Sequence, residues 1–81
     1  MIEAYILLTL EADKIKNTLR EIRKKVPEAT EAKGLTGPYD GIVHVRAKNL
    51  KDLTLRIVPG IYKIDGVIDT TTAIVIESEE Q

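Results

Sequence analysis

The 81-residue chain contains no cysteine, which rules out a disulfide framework, a thiolate nucleophile and any cysteine-ligated zinc site. Tryptophan and phenylalanine are also missing, leaving three tyrosines as the whole aromatic content, too few to interleave with a basic surface for base stacking. No apolar run approaches the roughly 20 residues that cross a bilayer. The N-terminus lacks the basic stretch of a secretory signal, so a cytoplasmic protein with no membrane partner is the simple reading. A net charge of −1 provides no global attraction to nucleic acid or to an anionic membrane. One histidine, His44, and one serine, Ser78, are present. A His-rich metal site or a nucleophile–base triad therefore cannot be assembled within one chain. The glycines follow neither a P-loop nor a dinucleotide-binding spacing, and no cofactor is implied. Many isoleucines, a high charged fraction and the missing Cys, Trp and Phe suit a thermophile on composition alone.

What the chain does contain is strands that are apolar on both faces. A strand alternates its side chains, so a half-exposed one should read apolar–polar. In the segment from Ala4 to Leu10, Ile6, Leu8 and Leu10 point one way while Tyr5 and Leu7 point the other. Near the end, Ile74 and Ile76 fall on one face and Ala73 and Val75 on the other. The chain has room for only two helices, enough to cover one side of a small sheet. Another subunit is expected to cover the other side, and a domain this small would gain stability by assembling.

The two halves each read strand–helix–strand. Asp13 is placed to cap a first helix whose apolar face is Ile15, Leu19, Ile22 and Val26. Basic residues crowd its last turn, where the helix dipole favours them, and Pro27 ends it. A solvated face accounts for that basic stripe better than a phosphate contact does. Residues 29–35 read as an edge strand, 36–41 as a turn and 42–47 as a third strand. Asn49 caps a second helix carrying Leu50, Leu53, Ile57, Ile61 and Ile64, which Pro59-Gly60 should kink or interrupt. Asp65-Gly66 then turns into a long last strand, residues 67–77. The order βαββαβ predicts an α+β, ferredoxin-like plait. It has a four-stranded antiparallel sheet, strands one and three central, both helices on one face, and pairs of chains meeting through their sheets. Residues 1–78 are expected to form a single domain, with 79–81 a short polar tail. The helix-free face should carry Tyr5 or Ile6, His44 and several residues of strand four.

Catalysis has little support. His44, Tyr5 and Tyr39 would be the acid–base candidates of a small plait enzyme, and only fold analogy recommends them. Two stretches exceed what packing needs. In the turn Thr36-Gly37-Pro38-Tyr39-Asp40, a carboxylate and a phenol stand beside glycine backbone. Asp69-Thr70-Thr71-Thr72 sets consecutive hydroxyls on a strand otherwise rich in Ile and Val. A turn plus good strand formers explains both plainly. A polar rim for a small zwitterion explains them more sharply, with Asp40 meeting its ammonium and the hydroxyls its carboxylate.

Val26-Pro27-Glu28-Ala29, the Thr36–Asp40 turn leading into Ile42–Ala47, Asp65-Gly66-Val67 and the Thr70–Ile76 ending together resemble the RAM domain, the effector-binding domain of Lrp/AsnC transcription regulators. The resemblance spans essentially the whole chain. It implies the same plait, dimers formed through the sheets, rings of dimers (commonly octamers), and a free amino acid bound between dimers. Carried over by position, Gly37, Tyr39 and Asp40 would line the cleft, joined by Thr70 and Thr72. No helix-turn-helix segment is present, so the chain resembles a stand-alone RAM protein without direct DNA binding. Two roles follow from the likeness: an amino-acid sensor, or an interaction module forming mixed oligomers with full-length Lrp/AsnC regulators. Pro38 removes one backbone N–H that a ligand carboxylate would use.

Overall fold

The computed structural model of the protein describes residues 1–79. Its strands are β1 (Ile2–Leu10), β2 (Ala29–Gly34), β3 (Gly41–Ala47) and β4 (Val67–Ile74), and its first helix is α1 (Ile15–Lys25). The second helix, α2, runs continuously over residues 50–62 in three parts: an α turn at Leu50–Asp52, a π-helical stretch at Leu53–Ile57 and an α segment at Val58–Tyr62. The four strands lie in the order β2-β3-β1-β4, every neighbouring pair antiparallel, so the two strands with the best apolar alternation are central. This is the α+β plait expected from the βαββαβ order.

Register assigns each strand residue to a face. Ala4, Ile6, Leu8 and Leu10 of β1 and Val43, Val45 and Ala47 of β3 are buried with Ile22 of α1, Val26 just past its end, and Leu53, Ile57 and Ile61 of α2. Both helices therefore cover the same side of the sheet. The odd-numbered residues of β1 point away from them, opposite their β3 partners, with Tyr5 facing His44 and Leu7 facing Ile42. No helix of the described residues lies on that side. Tyr5 keeps 39% of its surface exposed there, whereas Ile6 belongs to the core.

Three local expectations are corrected. Asp13 does not cap α1: the capping position is Lys14, with no side-chain cap, because Lys14 N–H already donates to Glu11 O at 2.9 Å in a tight turn. β4 stops at Ile74, opposite Ala4, rather than at residue 77: beyond it one bond from Val75 N–H to Glu3 O, 2.9 Å, follows, although β1 continues to Ile2. Leu50, counted on the apolar face of α2, stands 49% exposed on its first turn. Asn49 does cap that helix, its Oδ1 accepting the Asp52 N–H at 2.7 Å.

Pro59-Gly60 neither breaks α2 nor ends it. Proline lacks an N–H and clashes with the carbonyl four residues back. The helix widens just before it, with Val58 N–H reaching back to Leu53 O, and tightens again to α geometry through the proline. A π turn of this kind absorbs the misfit while Leu53, Ile57 and Ile61 stay on the core side.

Candidate functional site

The turn between β2 and β3 is closed on itself by one bond and pinned to the end of β1 by two more, each 2.8 Å. Leu35 N–H donates to Asp40 O, Asp40 N–H donates to Leu8 O, and Leu10 N–H donates to Asp40 Oδ2. The Asp40 side chain thus satisfies an amide that the sheet would otherwise leave open, the plain turn role, and Oδ2 is taken. Tyr39 and Asp40 are half-buried, while residues 36–38 are exposed. Gly37 sits at φ +124° with nothing within 4 Å of an added Cβ, so backbone conformation, not space, calls for glycine.

The hydroxyl strand is held apart from this turn. Thr70 lies opposite Leu8, which on its other side lies opposite Gly41; Thr72 lies opposite Ile6. One strand therefore separates Thr70 from the base of the turn, roughly 10 Å for two inter-strand spacings. Opposed residues share a face, so Thr70 and Thr72 lie on the helix side of the outermost strand, and Thr71 and Asp69 lie on the uncovered side. Asp69 Oδ1 accepts the Thr70 N–H at 2.9 Å, a side-chain bond to the next amide within β4. Gly37, Tyr39 and Asp40 come together; Thr70 and Thr72 form a second group that one chain does not close against the first.

The uncovered face has an organisation that sequence reading missed. Glu3 Oε2 bonds His44 Nε2, His44 Nδ1 bonds the Thr30 hydroxyl, and the Tyr5 ring lies tilted against the imidazole with centroids 4.9 Å apart. Both ring nitrogens of His44 are occupied by neighbours, which leaves neither for a substrate proton. Tyr39 sits in the turn ahead of β3, away from this chain of bonds, so the three acid–base candidates do not form one constellation. Glu3 interrupts the apolar pattern of β1, the only hint of the network in the sequence. Its partners depend on strand register and on the irregularity between Ala29 and Glu31.

On the helix side, Arg56 donates to Asp52 at 2.8 Å and bonds Glu28, joining α2 to the segment entering β2. Hydrogen bonds from this guanidinium hold both carboxyls below their ordinary range, and the two carboxylates hold the guanidinium above its own. A recess of about 490 Å³ opens beside it, lined by residues of α1, α2 and their exits, from Lys25 and Val26 to Gly60 and Ile64. No helix among the described residues is long and apolar enough to cross a membrane.

Known proteins share this architecture. Residues 3–81 match the family model described as the Lrp/AsnC ligand binding domain. The HTH-type transcriptional regulator FL11 of Pyrococcus furiosus is 32% identical over 78 residues, 96% of this chain and 50% of that protein. The chain thus spans about half the length of this curated relative. TTHA0845 from Thermus thermophilus superposes with a TM-score of 0.88 at 27% identity, covering all of both chains. AsnC of E. coli superposes with a TM-score of 0.86 at 25% identity, over 99% of this chain and 54% of that one.

Proposed function

The chain belongs to the Lrp/AsnC family, as its ligand-binding domain, and from that premise we propose that it is an oligomeric, non-catalytic sensor of a free amino acid. Dimers form through the uncovered sheet faces, and the effector sits where the Gly37–Asp40 turn of one dimer meets a neighbour, with Thr70 and Thr72 lining the same cleft. The observation that carries this reading is the half-built character of the turn. Its carboxylate is oriented by the Leu10 amide through Oδ2, with Oδ1 left to meet an ammonium. A positive-φ glycine beside it brings backbone to the surface. The hydroxyl groups are displaced by one strand, so a second subunit has to complete the enclosure. The relatives' role as transcriptional regulators fits a domain that converts effector level into assembly state.

Calorimetric titration with each of the twenty amino acids, on protein of verified oligomeric mass, tests the proposal. Saturable heat from at least one of them, lost in Asp40→Asn, is expected; no heat from any would refute it. A second reading, mixed oligomers with full-length regulators, draws on the match to half of FL11. It predicts subunit exchange on mixing with such a regulator and no need for a ligand.

A further inference from the structure

The last described residues leave the sheet with a composition unlike the rest of the chain. After β4 come Val75-Ile76-Glu77-Ser78-Glu79, continued in sequence by Glu80 and Gln81. Ile76 is 95% exposed, more than any other large apolar residue described, and it touches no core of its own chain. Glu77 and Glu79 are exposed too, and neither has an ion-pair partner among the described residues. The segment is one β-branched apolar anchor followed by carboxylates.

The recess between α1 and α2 has the complementary chemistry. Val26, Ile57, Gly60 and Ile64 supply apolar lining, beside Lys25, Lys63 and Asp65, whose carboxylate is paired with Lys14 at 3.2 Å. A Cβ built on Gly60 would meet nothing within 4 Å, so the floor is open directly above that residue. Of the nearby cations, Arg56 is committed to Asp52 and Glu28, and Lys25 to Glu21 at 3.1 Å. Lys63 has no ion pair among the described residues. About 490 Å³ accommodates an isoleucine side chain and the backbone on either side of it.

We propose that the C-terminal segment of one copy docks in the α1–α2 recess of a neighbouring copy, Ile76 on the apolar floor and the carboxylates of Glu77 and Glu79 directed to Lys63. The contact is heterologous: a tail of one subunit meets a recess of the next, so it extends assembly beyond whatever pair the sheet faces form. Val75 is held to the sheet by its bond to Glu3 O, so Ile76 reaches no more than about 7 Å beyond the end of β4, and the neighbour's recess has to meet it at that edge. The proposal is independent of the effector reading, because it involves the helix side and not the β2–β3 turn.

Sedimentation velocity of the full chain at micromolar concentration, at low and high salt, tests it. The wild type should sediment at a multiple of the dimer mass and fall to the dimer as salt screens the carboxylate–lysine contacts. Ile76→Asp and Lys63→Glu should each give the dimer at low salt. Gly60→Leu should do the same by filling the floor, and its position inside a helix with open space above keeps the fold intact, as circular dichroism would verify. Combining Glu77→Lys and Glu79→Lys with Lys63→Glu should restore the larger mass. A wild type no larger than a dimer, or Ile76→Asp and Gly60→Leu proteins of unchanged mass, would overturn the proposal.

Discussion

Gly66 joins three parts of the molecule in one residue. Its φ of +99° is a left-handed conformation, and a Cβ there would stand 2.0 Å from Thr18 Oγ1. That hydroxyl is buried and donates to Asp65 O at 3.0 Å, while Glu11 N–H donates to Gly66 O at 2.9 Å. A side chain at Gly66 would press α1 away from the turn into β4 and loosen the end of β1 together. Gly66→Ala should therefore lower unfolding free energy by roughly 2–4 kcal/mol, adding backbone strain to overpacking, as measured by urea melts. Asp40 separates structure from recognition. Asparagine at that position keeps an oxygen for the Leu10 amide, so Asp40→Asn should cost less than about 1 kcal/mol, whereas Asp40→Ala leaves the amide unpaired and should cost about 1–3 kcal/mol. If both variants melt alike, the bond to Leu10 contributes nothing, and the turn is held by its backbone bonds alone.

At the scale of elements, α2 carries the sharpest electrostatic prediction. Arg56 sits on its π-helical stretch, where it can reach both Asp52 on the preceding turn and Glu28 before β2. Both carboxyls titrate lower in the folded chain than their ordinary range because of that guanidinium. A depressed folded pKa adds stability that is complete above the unfolded value, near 4, and vanishes as pH falls through the folded value. Arg56→Met should thus be clearly less stable than wild type at neutral pH. The gap should narrow as pH falls below about 4 and close only once the lowered carboxyls of the folded state are themselves protonated. A gap that persists in strong acid would assign the loss to packing of the arginine stem instead. Much of α2 is legible in the sequence: Asn49 as cap, and the recurrence of Leu53, Ile57 and Ile61. The π stretch is not, because proline demands only that the local ladder give way, and a kink, a break or a wider turn all satisfy that demand. Asp13 misleads for a similar reason. Several polar residues could start α1, and the turn closed by Lys14 N–H and Glu11 O decides between them. The turn residues of the candidate site are readable as a cluster because they are neighbours in sequence. Their separation from Thr70 and Thr72, and the Glu3–His44–Thr30 chain of bonds, depend on cross-strand register, which no local pattern encodes.

For the whole molecule, the governing feature is a sheet with one side buried under two helices and the other side uncovered. Tyr5, Leu7 and Ile42 cluster at its centre, bordered by the Glu3–His44 bond and by Thr71 and Ala73 of β4. Leaving these apolar groups wet forfeits about 25 cal/mol for each Å² that a partner would cover, and two such sheets laid face to face recover it on both sides. A charge at the middle of this surface would instead be desolvated without a partner, so Leu7→Lys should block pairing while the opposite face, holding the core, folds normally. Sedimentation equilibrium of the wild type and of Leu7→Lys is the most direct test. A wild type of at least twice 9.0 kDa at micromolar concentration and a folded Leu7→Lys monomer are expected. A wild type that sediments as a well-folded 9.0 kDa monomer under those conditions would contradict the pairing of the two sheets.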